Sequence, residues 1–332
     1  MIAPARDVAV AVVGSGGFGT CISWLLAKNG LEVRQWCRSP DYATKLSNRR
    51  ENVKYLPGVK LPVNVWITSS LQDAVQGAEV VVVAVPSQGV RDVAKAFAPH
   101  VEPDAKLLNV AKGIEHDTYL RMSQVLAVEC PKHTVATLSG PNHAEEIARG
   151  MPAATVIACR EAAPLHLLCD IFSNDFFKAY PRRDVIGVEL GGVLKNITAI
   201  AAGVTKGIGF GDNSASAVIT LGLDEMVRFG TAQGAKARTF TGLSGLGDLI
   251  ATATSEHSRN RRLGELVGRG LSFQEALATM GGKVAEGLYA TRFVHEQALR
   301  DGIDLPLTAE IYSILYEGKD VKKAVRDLLS LL

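Results

Sequence analysis

The sequence predicts an α/β protein in two parts, an N-terminal doubly wound, mostly parallel sheet followed by a C-terminal all-α domain. Three observations predict it. A β-branched run beginning at Val8 ends in a glycine cluster that opens a helical pattern. Strand-like runs then alternate with helical stretches through the first half. After Pro181 the strand signals stop and almost every pattern is helical.

Val8–Val13 is apolar, β-branched and bounded by turn residues, as a strand buried on both faces should be. Thr20–Asn29 follows as a helix with Ile22, Leu25 and Leu26 on one face, and Asn29-Gly30 supplies its C-cap. Glu32–Cys37 is the second strand. Val65–Ser69, Val80–Val85, Leu107–Val110 and Thr134–Leu138 come next, and Ala153–Ala158 and Phe176–Tyr180 close the half. Repeated β-α-β units imply a parallel sheet covered on both faces. The domain break is expected near 181–184, giving domains 1–182 and 183–332. Beyond it, Gly191–Ala202 is small and apolar with Lys195-Asn196 embedded, and further helices are expected to begin near Ala215, Ser258, Ser272, Gly287, Thr308 and Lys319. No repeat or low-complexity tract interrupts the chain.

Composition supports two real cores, with 332 residues of which 47% are hydrophobic. Charged residues make up 21% and sum to +2, so the chain carries no basic nucleic-acid footprint. Cys21, Cys37, Cys130, Cys159 and Cys169 are odd in number, form no CxxC and sit in apolar stretches, as free thiols in a reducing compartment do. The seven histidines do not cluster at ligand spacing, so no metal is expected. Met1–Asp7 lacks the character of a cleavable signal. The longest apolar run, Val80–Val85, has strand length and falls far short of the roughly 20 residues of a spanning helix. The expectation is a cytoplasmic protein without membrane insertion.

Gly14, Gly16 and Gly19 form G-x-G-x-x-G between the first strand and its helix. The first glycine permits the tight turn, the second lets a pyrophosphate approach the backbone, and the third lets helix and strand pack closely. The helix aims its positive end at the phosphates. This is the arrangement of a Rossmann-type dinucleotide site. At the end of the second strand, where an NAD-selective site has a carboxylate, the chain reads Trp36-Cys37-Arg38-Ser39. A guanidinium there suits the 2′-phosphate of NADPH.

Five further segments stand in a fixed order. They are Asn109-Val110-Ala111-Lys112-Gly113-Ile114-Glu115, Leu138-Ser139-Gly140-Pro141-Asn142-His143-Ala144, Leu190-Gly191-Gly192-Val193-Leu194-Lys195-Asn196, Gly242-Leu243-Ser244-Gly245-Leu246-Gly247-Asp248-Leu249 and Ser258-Arg259-Asn260-Arg261-Arg262. With the glycines, they closely resemble the bacterial NAD(P)-dependent glycerol-3-phosphate dehydrogenases, from about Val8 to Leu329. The resemblance implies reversible reduction of dihydroxyacetone phosphate to sn-glycerol 3-phosphate with NADP(H) or NAD(H), supplying phospholipid synthesis, in a homodimer. It implies that Lys195 is the catalytic lysine and that Lys112, Gly140, Asn142, Asp248, Ser258, Arg259 and Asn260 contact the substrate. Gly17, Phe18, Arg38, Lys112, Ala144, Arg259, Val284 and Glu286 match positions that touch the cofactor. Many relatives have Ser or Thr in place of Asn142, and Ser and Trp in place of Gly17 and Phe18.

The residues make chemical sense by themselves. Ketone reduction needs a hydride, which the cofactor supplies, and a proton for the developing alkoxide. Lys195 lies among small apolar residues, where an ammonium without a role is costly to bury. A second cation, with Lys112 as the candidate, lowers its pKa toward working pH. Asp248 is placed to hold Lys195 and a substrate hydroxyl. Ser258 fits as an N-cap, leaving the backbone donors of Arg259 and Asn260 at a positive helix end suited to phosphate, with Arg261 and Arg262 expected on a solvated cationic face. Two alternatives remain at this stage, a hydroxy-acid dehydrogenase of the same plan and a non-catalytic NADPH-binding sensor.

Overall fold

The structure is a computed structural model that describes residues 8–281 and 286–330. The chain forms two compact units. The first runs through Ala111 and includes Leu120–Leu138 and Asn142–Val185; the second takes Lys112–Tyr119, Ser139–Pro141 and the chain from Ile186 onward.

The first unit holds an eight-stranded sheet of β1 (Ala9–Val13), β2 (Glu32–Trp36), β3 (Val65–Thr68), β4 (Val80–Val83), β5 (Lys106–Asn109), β6 (Thr134–Ser139), β7 (Ala153–Ala158) and β8 (Phe177–Arg182). Their order is β3-β2-β1-β4-β5-β6-β7-β8. β1 pairs in parallel with β2 on one side and β4 on the other, with Val13 opposite Trp36 and Val83. The strand order therefore reverses at β1, and the carboxyl end of β1 opens on the crevice where such sheets bind ligands. Alternation along β1 divides its side chains between two cores. Val10 and Val12 join the cluster around Leu25, Leu26 and Phe172, while Ala11 and Val13 join the one around Phe97 and Leu107. All eight expected strands are present, with ends shifted by a residue or two.

The first helix, Gly17–Lys28, begins three residues before the expected Thr20, so Gly17, Phe18 and Gly19 already belong to its first turn. Asn29 closes it, its N–H reaching Leu25 O and Leu26 O, with Gly30 following at φ +87°. The five cysteines are free and buried.

Among the described residues no strand follows Arg182. The second unit is built around the helix Val185–Ile208, which supplies Leu190, Val193, Leu194, Ile197, Ile200 and Val204 to its core. This 24-residue helix corrects the expectation that no segment has the length and apolarity to span a membrane; 94% of its apolar window is buried inside the protein, as in a core helix. Lys195 and Asn196 break the run of apolar letters, but small residues around them keep the average high. The helix Arg259–Gly268 packs on it backbone to backbone. A Cβ on Gly203 would stand 2.1 Å from Arg261 O, and one on Gly264 would stand 2.0 Å from Ile200 O.

Helices also run over Asp212–Ala232, Phe273–Thr279, Glu286–Asp301, Pro306–Tyr316 and Val321–Ser330, within three residues of the expected starts. Ser258 and Ser272 are N-caps, accepting from Arg261 N and Glu275 N. Nothing in the sequence signalled the short helix Ala237–Phe240 or the π-helical turn Leu243–Gly247. That turn runs without a break into Asp248–Thr254, so Asp248 opens a helix and does not merely follow a glycine turn.

Candidate active site

The glycine loop follows β1 directly. Gly14 has φ +134°, and a Cβ there would lie 2.4 Å from Ala84 O at the end of β4. A Cβ on Gly19 would lie 2.4 Å from Gly14 O, so only glycine lets the helix come this close. Gly16 differs from both: a Cβ on it would meet nothing within 4 Å. Open space beside the middle glycine, with the first turn of a 12-residue helix behind it, fits a dinucleotide pyrophosphate. Phe18 is half-buried and packs on the sheet core. Arg38 is exposed two residues beyond the end of β2, and Ser39 caps the helix that follows. Ala144 opens the short helix Ala144–Ile147, and Asn142 accepts from Thr155 Oγ1 at 2.8 Å and donates to Ala154 O at 3.3 Å.

The second unit gathers two lysines on one carboxylate. Lys195 Nζ donates to Asp248 Oδ1 at 2.6 Å and Lys112 Nζ donates to Asp248 Oδ2 at 2.6 Å. Lys195 also donates to Thr252 Oγ1 at 2.7 Å, and Lys112 to Gly140 O at 2.8 Å. Thr252 Oγ1 in turn donates to Asp248 O at 2.7 Å, one turn earlier in the same helix. Lys195 and Asp248 are only 6% and 2% exposed, while Lys112 is half-buried. Burial pushes the Lys195 ammonium down to about 8; Asp248 pulls it back up and Lys112 pushes it further down. Burial drives Asp248 up, yet the two ammoniums outweigh burial and hold the carboxyl below its ordinary range. An ammonium poised near neutrality, fixed by a permanent anion, can give and take a proton at working pH.

The helix Arg259–Gly268 presents its N-terminus with Ser258 as cap and Arg259 exposed in the first position. Asn260 is buried. Its amide donates to Asn196 Oδ1 at 2.9 Å and its oxygen accepts from Gly287 N at 3.0 Å, tying three helices together. Arg261 corrects the expectation of a solvated cationic face. It is 7% exposed, donates through Nε to Ser255 O at 2.8 Å and pairs with Glu265 at 3.7 Å; Arg262 alone of the two is exposed. Glu286 begins its helix half-buried, and Val284 lies outside the described residues. Among the described residues no group of three or more His, Cys, Asp or Glu is placed to hold a metal ion.

Comparison with known proteins decides between families that share this plan. Residues 9–164 match the model of the NAD-dependent glycerol-3-phosphate dehydrogenase N-terminus, and residues 184–326 match that of its C-terminus. The chain belongs to the NAD-dependent glycerol-3-phosphate dehydrogenase family. It is 46% identical over 320 residues to the glycerol-3-phosphate dehydrogenase [NAD(P)+] of Moorella thermoacetica, covering 96% of this chain and 95% of that one. To the Corynebacterium jeikeium enzyme of the same name it is 43% identical, covering 97% and 98%. The crystal structure of the Coxiella burnetii glycerol-3-phosphate dehydrogenase superposes with a TM-score of 0.91 at 34% identity over 97% of this chain and 99% of that one. A D-mandelate dehydrogenase superposes with a TM-score of 0.62 at 11% identity over 94% of this chain and 98% of that one, which shows a shared fold alone. The chain is thus an NAD(P)-dependent oxidoreductase.

Sequence reasoning missed three residues at the two candidate sites. Thr252 gave no signal because a threonine inside an ordinary helix has none. Gln35 and Asn52 also went unmarked. Gln35 Nε2 donates to Gly14 O at 3.3 Å and Thr20 Oγ1 at 3.2 Å; Asn52 Nδ2 donates to Ser15 O at 2.9 Å and Thr20 Oγ1 at 2.6 Å.

Proposed function

We propose that the chain reduces dihydroxyacetone phosphate to sn-glycerol 3-phosphate, reversibly, with Lys195 as proton donor and acceptor. The observation that carries this reading is the pair of lysines, one buried and one half-buried, that share the buried Asp248. When bound, NAD(P)H supplies a hydride to the substrate carbonyl carbon. Negative charge then develops on the carbonyl oxygen, and Lys195 Nζ gives it a proton, leaving a neutral amine that is protonated again before the next reduction. Asp248 holds Lys195 in place and receives the substrate hydroxyl. Lys112 shares Asp248, keeps the Lys195 pKa low and adds positive charge near the developing alkoxide. The substrate phosphate sits at the N-terminus of Arg259–Gly268, with Arg259 adding charge. Gly140, Asn142, Ser258 and Asn260 complete the substrate site by family resemblance.

The glycine loop, at Gly14, Gly16, Gly17, Phe18 and Gly19, would hold the cofactor and Arg38 would meet its 2′-phosphate; family resemblance adds Lys112, Ala144, Arg259, Val284 and Glu286. In this reading the enzyme is a cytoplasmic homodimer whose product feeds glycerophospholipid synthesis. Purified protein mixed with dihydroxyacetone phosphate should oxidise NADPH, followed by loss of absorbance. Binding of NADPH without oxidation of either NADPH or NADH would overturn the assignment.

A further inference from the structure

The glycine loop of this chain is held from beneath by a small polar network whose centre is Asn52. This asparagine is wholly buried. Its Nδ2 donates to Ser15 O at 2.9 Å and to Thr20 Oγ1 at 2.6 Å. Its Oδ1 accepts from Tyr42 OH at 2.6 Å and from Tyr55 N at 3.1 Å. All of its hydrogen-bonding capacity on the two amide atoms is thus spent, on the glycine loop and the helix it opens on one side, and on the helix Pro40–Arg49 and the segment after it on the other. Gln35, from the buried β2, adds a donor to the neighbouring carbonyl, Gly14 O, and to the same Thr20 hydroxyl.

These contacts reach the face of the loop that would meet a pyrophosphate through the peptide plane. In a trans peptide the C=O of one residue and the N–H of the next point to opposite sides. Turning Ser15 O toward Asn52 therefore turns the Gly16 N–H away from it, and turning Gly14 O toward Gln35 does the same for the Ser15 N–H. Gly16 is the loop residue whose missing side chain leaves open space. We infer that Asn52 is a positioning residue for dinucleotide binding: it fixes the carbonyl side of the loop so that the backbone donors on the other side are aimed before the cofactor arrives. The inference rests on the glycine loop being the cofactor site. It requires that losing Asn52 affect cofactor affinity beyond any general loss of stability.

Asn64 provides the control. It anchors the C-terminal end of the helix Gly17–Lys28 that the loop opens, donating to Ala27 O at 3.0 Å and Leu31 O at 2.7 Å, and has no contact with the loop among its hydrogen bonds. The measurement is NADPH Kd by fluorescence titration, with thermal unfolding of the cofactor-free protein and a split of kcat from KM. Two lost orienting bonds should raise Kd about tenfold in Asn52→Ala, with kcat at saturating NADPH within about twofold of wild type. Asn64→Ala should lower the unfolding temperature comparably yet leave Kd unchanged. Tyr42→Phe, which keeps the ring and removes one hold on Asn52, should raise Kd two- to threefold on the order of one weakened bond, and it decides the matter if Asn52→Ala does not fold. Wild-type Kd in the folded Asn52 variant, or an equal rise in Asn64→Ala, would overturn the inference. Gly16→Val separates the two levels. If it abolishes NADPH binding while Asn52→Ala does not weaken it, only the positioning role fails; if it leaves binding intact, the glycine-loop assignment fails first.

Discussion

The glycine loop and the lysine–carboxylate cluster solve opposite electrostatic problems. The loop is a contiguous stretch, Gly14–Gly19, that offers backbone donors and removes side chains from its own middle. The cluster joins Lys112, Gly140, Lys195, Asp248 and Thr252 from distant parts of the chain and offers charged side chains, the two innermost of them buried. The loop carries its donors on the main chain, so side chains can only aim them or add to them. In the buried charge cluster each group is the counter-charge or desolvation partner of the next. On the proposed reading the first site serves binding and the second proton transfer.

The sharpest test of that contrast removes the innermost cation. Lys195→Ala should lower kcat for ketone reduction by about 10²–10⁴, the usual contribution of a positioned general acid, while NADPH Kd stays within about twofold. Single-turnover and binding measurements on the same preparation read both. A variant that kept its kcat would move the proton donor to Lys112 or to water.

The two sites were also unequally legible. The loop announces itself because backbone approach demands glycine at fixed spacing, and the structure gives each glycine a separate reason. Lys195 stood out as a charge in an apolar helix, and Asp248 as a carboxylate after glycines. That both lysines would reach the two oxygens of one carboxylate is a matter of tertiary packing, which spacing alone does not encode. Arg261 shows the converse error. Arg261 and Arg262 read together as a solvated face, yet helical periodicity turns Arg261 inward, where Ser255 O and Glu265 receive it, and leaves Arg262 outside with Arg259. Asn52 was silent because its importance lies in which carbonyl it reaches 37 residues away.

A smaller effect sharpens the binding side of the comparison. Arg38 is exposed at the end of β2, with room to meet a 2′-phosphate. Charge-assisted hydrogen bonds to one phosphate put the loss in Arg38→Ala at about 10- to 100-fold in NADPH Kd, with NADH Kd nearly unchanged. Equal weakening of both cofactors would mean that Arg38 serves the loop generally and does not read the phosphate.

The smallest expected effect tests how the cluster sets its working pH. Burial and Lys112 hold Lys195 at about 8 against the pull of Asp248, and Thr252 Oγ1 accepts from its ammonium at 2.7 Å. Reduction needs the protonated form, so the rate of ketone reduction should fall as pH rises through about 8, and the reverse oxidation should gain over the same range. A hydrogen bond accepted from the ammonium favours the charged form. Thr252→Val keeps the side-chain shape and deletes that acceptor, so the alkaline limb should move to lower pH by a fraction of a unit, with kcat on the acid plateau reduced only about twofold. Thr252 also donates to Asp248 O, and losing that bond lowers stability without a reason to move the limb. A limb that shifts separates a tuning contact from a merely structural one; an unmoved limb with a lower unfolding temperature would assign Thr252 to the helix and leave the Lys195 pKa to burial and the two charges around it.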